Sequence, residues 1–168
     1  MSKGIFVVIV NRGIWMNAIE LLKEDHDKVD KLFQKVEATE ESEHPQLFER
    51  IKAELEIHTH IEEAIFYPKL KEEGDEELKK ITLEGIEEHH QAKIFLRELS
   101  SLADDSQKFE PKLKVLMEDI KHHVQEEEGQ MFPMIEKQFD ASVLDQLGKQ
   151  LEEEKRKFAK SQKAGAGG

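Results

Sequence analysis

The sequence predicts an all-α protein: an up-down-up-down four-helix bundle with a short fifth helix at the C-terminal end. Two observations lead to this prediction. Apolar residues recur at steps of three and four along most of the 168-residue chain, which is the pattern of a helix with one buried face. The helical segments are joined by short polar connections, and short connections place consecutive helices side by side and antiparallel.

Each of the four main helices has one inward stripe and recognisable ends. The first begins near Asn17 and stops at the polar stretch 37–44. Pro45 and Pro111 suit the first turns of the second and fourth helices, and Gly74 separates the second from the third. The stripes are Leu22, His26, Val29, Phe33, Val36; Ile51, Leu55, His58, Glu62, Ile65; Ile86, His89, Ala92, Leu96, Leu99; and Leu113, Leu116, Ile120, His123, Glu127.

The predicted organisation has four parts. Residues 1–16 are an N-terminal extension, 17–138 the bundle, 139–160 the C-terminal helix and 161–168 a flexible tail rich in Gly and Ala. The apolar run Ile5–Val10 is too short to span a bilayer, which takes about 20 residues, and fits a secretory signal poorly. We therefore expect a cytoplasmic protein.

Composition excludes several classes of function. The chain has no cysteine, so thiolate metal sites, Fe–S clusters and disulfide scaffolds are ruled out. Its net charge of −12 opposes binding to nucleic acid and to anionic membranes. Eight histidines among 37 acidic residues favour cations as ligands instead.

An internal duplication identifies the candidate site. The segment His58-x3-Glu62-Glu63-x3-Tyr67-Pro68 recurs 65 residues later, from His123 to Pro133. An offset of 63 aligns His26 with His89 and matches the apolar positions around them. Aligning His26 with His90 instead would put charged residues at core positions, so His89 is predicted to face inward and His90 to face outward or to flank the site.

The duplicated residues predict a metal centre. A histidine and a glutamate at i and i+4 lie on one helix face, about 6 Å apart along the axis. Two divalent ions, each held by two histidines and bridged by the glutamates, would satisfy all the buried polar groups. The mixed N/O donors favour iron over zinc, with manganese still open. The six predicted ligands are His26, His58, Glu62, His89, His123 and Glu127.

The remaining histidines and glutamates are predicted to lie elsewhere. His60 and His122 are out of phase with the stripes, and His44 simply precedes Pro45. Glu63 and Glu128 are left open, as partners of the ligand histidines or as exposed residues.

These motifs, with Asp25-His26 and Glu88-His89, resemble the hemerythrin-like (HHE cation-binding) family over about residues 17–138. The resemblance implies a non-haem di-iron centre with carboxylate and oxo or hydroxo bridges, able to bind O2 or to respond to O2, NO, peroxide or iron supply. It implies that one iron takes His26 and His58 and the other His89 and His123.

The sequence departs from the oxygen-carrying members of that family. They have a further histidine at the position of Lys93, and their last carboxylate is an aspartate, five residues after its histidine. We therefore expect one iron to have one protein ligand fewer.

Three functions follow from these observations as hypotheses. The first is a di-iron protein that binds, senses or scavenges O2, NO or peroxide. The second is an enzyme with peroxidase- or ferroxidase-like turnover at the same centre. The third is a helical interaction module, in which the fifth helix or the Ile5–Val10 segment docks a protein partner whose identity the sequence leaves open.

Overall fold

The chain folds into seven α-helices in a computed structural model, which describes residues 16–103 and 106–165. The described residues contain no strand, so the all-α prediction is confirmed. The Ile5–Val10 segment, the Asp104-Asp105 pair and the last three residues of the expected tail lie outside these ranges. The helices are α1 (Ala18–Ala38), α2 (His44–Ile61), α3 (Tyr67–Glu73), α4 (Glu76–Ser101), α5 (Phe109–Glu126), α6 (Phe132–Gln138) and α7 (Ala141–Gly165).

Two pairs of these helices form continuous rods. A π-helical turn, Glu62–Phe66, joins α2 to α3, and a second one, Glu127–Met131, joins α5 to α6. The bundle therefore consists of α1, the α2–α3 rod, α4 and the α5–α6 rod, and α7 is the fifth helix. None of the described helices has an apolar stretch long enough to cross a bilayer.

Side-chain caps fix where the first and third bundle helices begin. The Asn17 side chain accepts from the Glu20 backbone N–H at 3.0 Å, and the Glu20 carboxylate accepts from the Asn17 N–H at 3.0 Å, which is a capping box. Asp75 accepts from the Leu78 N–H at 2.9 Å. These contacts satisfy backbone donors that a helix leaves unpaired at its N-terminus.

The core consists of two apolar clusters separated along the bundle axis. One contains Leu22 of α1 and Ile135 of α6, and the other contains Phe33 of α1 and Leu116 of α5. Each of the four bundle members, α1, the α2–α3 rod, α4 and the α5–α6 rod, passes from one cluster to the other. Consecutive members run in opposite directions. The candidate ligands occupy the layer between the clusters.

The π-helical turns change the inward face of both rods. Pro68 and Pro133 lie at the second position of α3 and α6, and neither has an N–H to continue an i→i−4 ladder. The N–H of Tyr67 bonds instead to the carbonyl of Glu62, five residues earlier. The predicted stripe placed Ile65 inward, but the extra residue in the turn leaves Ile65 half-buried and buries Phe66.

The fifth helix is longer than predicted, because residues 161–165 of the expected flexible tail continue it. Ser161, Gln162, Lys163 and Ala164 include no helix breaker. The helix packs against α1 and α2 through a face that includes Leu144, Leu147 and Leu151.

Candidate metal centre

The structure brings all six predicted site residues into one layer in the middle of the bundle. Every one of these side chains is buried, with at most 5% of its surface exposed. One histidine comes from α1 and one from α4, and each rod that carries a π-helical turn supplies a histidine and a glutamate. The six are His26, His58, Glu62, His89, His123 and Glu127.

The two glutamates lie between the two pairs of histidines. Glu62 Oε2 is 3.3 Å from His58 Nε2 and 3.1 Å from His89 Nε2. Glu127 lies 3.1 Å from His26 Nε2 through Oε2 and 3.6 Å from His123 Nε2 through Oε1. Each carboxylate thus contacts one histidine of each pair, which is the arrangement of a bridging ligand.

The two halves of the layer are unequal. Ligand-type atoms of His26, His58, Glu62 and Glu127 all lie within 4.8 Å of one another. A second set within the same limit has only three members, Glu62, His89 and His123. The second position therefore has fewer protein groups within this limit, although Glu127 Oε1 also lies 3.6 Å from His123 Nε2.

Unpartnered polar atoms provide a test of whether these residues suit a cation. In the ranges 16–103 and 106–165, seven buried side-chain N or O atoms lack a hydrogen-bond partner, and all belong to this layer or to the adjoining Asp25. They include both carboxylate oxygens of Glu62 and the Nε2 atoms of His26 and His58. Such atoms are costly in a protein interior unless something binds them, and a metal ion bound by imidazole and carboxylate would satisfy them.

The protonation of the layer reflects the same crowding. Burial and the neighbouring Glu127 raise the pKa of Glu62 well above its ordinary value. Burial also opposes the charged form of Glu127, but His123 and His26 outweigh it and lower the pKa of Glu127. Burial lowers the pKa of His58 to about 4. A bound cation would favour the charged form of both carboxylates.

Carboxylates hold the outer nitrogen of three site histidines. His26 Nδ1 lies 2.7 Å from Glu128, and His89 Nδ1 lies 3.1 Å from Glu63. The glutamates that the sequence left open are therefore contacts of the histidines, each across to the other hairpin. Contacts of this kind orient an imidazole so that its other nitrogen faces a metal.

Glu88, for which the sequence predicted no role, holds the third histidine, and Asp25 is close to the fourth. Glu88 accepts from His123 Nδ1 at 2.5 Å, and Asp25 lies near His58. The sequence contained an indication that these two carboxylates belong with the site, because the offset of 63 that aligns His26 with His89 also aligns Asp25 with Glu88.

Lys93, at the position of the missing histidine, does not enter the layer. Its ammonium donates to both oxygens of Glu63, at 2.6 and 2.7 Å. The lysine therefore fixes the carboxylate that holds His89, and it contributes to the second position only through that contact.

Tyr67 is a further residue of the layer that the sequence analysis did not identify as functional. Its hydroxyl donates to Glu127 Oε1 at 2.7 Å and lies 3.3 Å from His89 Nε2. Gly85 leaves space for it, because a Cβ there would come within 3.0 Å of the hydroxyl. The duplicate of Tyr67 is Phe132, whose ring stacks on His26 at 5.9 Å, so only one half of the layer has a phenol.

The other histidines lie outside the layer. His44 Nδ1 pairs with Glu110 at 2.7 Å at the far end of the bundle. His60 pairs with Glu154 of α7 at 2.8 Å, and His90 is exposed. His122 lies on the outer surface, where it forms a partly exposed cluster with Glu88 and Glu126.

Among known proteins, two relatives have similar sequences. An uncharacterized hemerythrin-like protein of Schizosaccharomyces pombe is 34% identical over 84 residues, 50% of this chain and 41% of that protein. A DNA nickase of Nostoc sp. is 25% identical over 159 residues, 90% of this chain and 44% of the nickase. The chain thus spans less than half the length of either relative.

A solved structure has a similar fold over most of its length. The crystal structure of a hemerythrin HHE cation binding domain-containing protein from Mycobacterium kansasii superposes with a TM-score of 0.74 at 26% identity, covering 87% of this chain and 89% of that one. The family model of the hemerythrin HHE cation binding domain matches residues 17–135, the span that holds all six candidate ligands. This chain therefore belongs to the hemerythrin HHE cation-binding domain family.

Proposed function

We propose that this protein holds two iron ions in the buried layer and uses them to bind, sense or scavenge O2, NO or peroxide. The observation that carries the proposal is the convergence of six buried histidine and glutamate side chains with unpartnered donor atoms. A stable fold keeps such atoms together only where a ligand offsets their desolvation.

The residues divide between the ions as their distances suggest. His26 and His58 would hold one ion, His89 and His123 the other, and Glu62 and Glu127 would lie between them. Imidazole with carboxylate is a donor set that suits iron, and the smaller group at the second position leaves room for a further ligand. Manganese is the alternative that metal analysis would reveal.

Bound iron would supply a change of oxidation state and an open coordination position for a small ligand. The protein's own contribution is access and enclosure. His26 borders a surface groove of about 430 Å³ between α1 and α5. His89 and His123 border a smaller one of about 230 Å³ between α4 and α5. The net charge of −12 opposes a phosphate backbone, so we do not extend the relative's DNA nicking to this chain.

The proposal predicts about two iron ions per chain after anaerobic reconstitution. The oxidised form should show near-ultraviolet charge-transfer absorption that azide changes. His89→Ala should lose metal, while His90→Ala, the exposed neighbour, serves as the matched control and should keep it. Fewer than one iron per chain, or full binding by the double variant His58→Ala/His123→Ala, would refute the proposal.

The contacts of Tyr67 favour a second candidate function, peroxidase- or ferroxidase-like turnover at the same centre. Its hydroxyl donates to Glu127 at 2.7 Å and lies 3.3 Å from His89 of the three-member set, where a general acid would be useful. Sustained peroxide consumption by the iron-loaded protein that falls in Tyr67→Phe, with metal content unchanged, would support it. A single stoichiometric oxidation without turnover would eliminate it.

A further inference from the structure

His58 differs from the other three site histidines in what faces its outer nitrogen. The others have a glutamate within 3.1 Å of Nδ1. His58 Nδ1 lies 3.9 Å from Asp25 Oδ2, beyond hydrogen-bond distance. Both atoms are buried and lack a hydrogen-bond partner among the described residues. A shift of about 1 Å would bring them within hydrogen-bond distance.

Asp25 also differs from the three glutamates in its surroundings. Only 3% of its side chain is exposed, against 30–38% for Glu63, Glu88 and Glu128. Water can solvate those glutamates but hardly reaches Asp25. A carboxylate so buried needs a cation close to it.

That cation comes from outside the four-helix bundle. Lys155 of α7 donates to Asp25 Oδ1. Lys28, one turn along α1, also reaches Oδ1 at 3.3 Å, but 42% of its side chain is exposed. With Lys155 in place, the carboxylate is held on the inner side of α1 with Oδ2 toward His58. Without it, Lys28 alone would draw the carboxylate toward the surface.

The position of Lys155 is set by the packing of α7. Gly148, two helical turns earlier, lies so close to the start of α1 that a Cβ there would be 2.2 Å from the Met16 carbonyl oxygen. Beyond Lys155, the Phe158 ring stacks on His60 of α2 at 4.1 Å. The helix is thus held on both sides of Lys155. The whole of α7 lies outside residues 17–135, the range that the family model matches.

We infer that Lys155 is a positioning residue for the His26/His58 metal position: it anchors the Asp25 carboxylate that orients His58. This inference rests on the proposed function, since it assumes that a metal ion binds there. It adds that the C-terminal helix strengthens metal binding at one of the two positions and has little effect on metal binding at the other.

The test compares ferrous iron retention by single variants under anaerobic chelator competition. Lys155→Met removes the charge and keeps the length of the side chain. We expect the affinity of the His26/His58 position to fall about 10–100-fold, as is usual when the outer contact of a metal-binding histidine is lost. The affinity of the other position should fall by less than about 10-fold, below that range. Lys155→Arg should restore binding, and Lys157→Met, an exposed lysine on the same helix, is the matched control.

Half-site backgrounds assign the loss to one position. In His123→Ala the remaining iron should be weakened by Lys155→Met, and in His26→Ala it should not. The melting temperature of each metal-free variant separates folding from binding. Should Lys155→Met fail to fold, Asp25→Asn provides the same comparison with a nearly isosteric side chain, and the same selective loss is expected.

The outcomes separate this inference from the proposed function. If the unmodified protein binds no iron, the proposed function fails and the inference fails with it. If it binds two ions and Lys155→Met and Asp25→Asn retain both with unchanged affinity, the function stands and the inference is wrong. Equal weakening of both positions would also contradict it, because that would indicate a general effect on the fold.

Discussion

Gly148→Ala should destabilise the protein, because it separates the C-terminal helix from the bundle. The added methyl would lie 2.2 Å from the Met16 carbonyl oxygen and 2.9 Å from the Asn17 carbonyl carbon. Both are backbone atoms, so no side chain can turn away. Restoring an ordinary contact of 3.4 Å requires α7 to move by about 1.2 Å. A gap of only about 0.5–1 Å already forfeits a quarter to a half of the dispersion energy of a contact.

The expected cost follows from the packing that α7 supplies. Its buried Leu144, Leu147 and Leu151 would lose contact with the core, and overpacking of this kind costs about 1–3 kcal/mol. The gain in helix propensity from Gly to Ala offsets at most about 1 kcal/mol. At the upper end of the overpacking cost, about 3 kcal/mol, the propensity gain of about 1 kcal/mol leaves a net loss of about 2 kcal/mol. For a chain of this size, that loss corresponds to a fall of about 4–8 °C in melting temperature.

The assay is thermal and denaturant unfolding of the metal-free protein. Gly129→Ala is the matched control: it makes the same substitution in a helical segment where nothing lies within 4 Å of the new methyl. It should be neutral or stabilising by up to about 1 kcal/mol. A Gly148→Ala protein as stable as the unmodified chain would refute the close contact of α7 with α1.

Three further predictions concern charge and metal. Burial opposes the charged form of His44, but Glu110 outweighs it and raises the pKa of His44. Their ion pair should therefore stabilise the fold by about 1 kcal/mol below pH 6.5. This stabilisation should be lost as the pH rises through the raised pKa. His44→Gln should therefore lower the melting temperature more at pH 5.5 than at pH 8.5, and an equal effect at both would contradict the ion pair. Metal binding should release a proton from Glu62, whose pKa is raised in the metal-free layer. The binding heat measured by calorimetry should therefore depend on the buffer, and the metal affinity should rise with pH. A binding heat that is the same in all buffers would count against a protonated Glu62. Ferrous iron at 100 times its dissociation constant should stabilise the fold by about 2.7 kcal/mol per site. This stabilisation should raise the melting temperature of the unmodified protein but not that of the His58→Ala/His123→Ala variant. An equal rise in the variant would mean that the metal binds elsewhere.

The sequence was sufficient to place the six candidate ligands together. Helical spacing fixes which face a residue occupies, and the offsets of 63 and 65 relate the two hairpins. Once His26 and His58 share the inner face of one hairpin, the duplication requires His89 and His123 to face them from the other. These are local rules, so they could be read without knowing the packing.

Features that depend on contacts between distant elements could not be predicted in this way. The stripe through Ile65 assumed an uninterrupted 3.6-residue period, whereas Pro68 forces a π-helical turn that shifts the register by one residue. The pairing of Lys93 with Glu63 depends on how α2 and α4 approach each other. Lys155 lies in no repeat at all, and only the packing of α7 brings it to Asp25.

The exchange of glutamates between the hairpins means that neither hairpin contains a complete set of contacts. Glu63 of the first holds His89 of the second, and Glu128 of the second holds His26 of the first. The arrangement has the pseudo-twofold symmetry of a homodimer of one helical hairpin, fused into a single chain. Fusion allows the halves to diverge, because a symmetric dimer must have the same residue at both positions. This chain has Tyr67 in one half and Phe132 in the other, and its fifth helix packs mainly against the first hairpin.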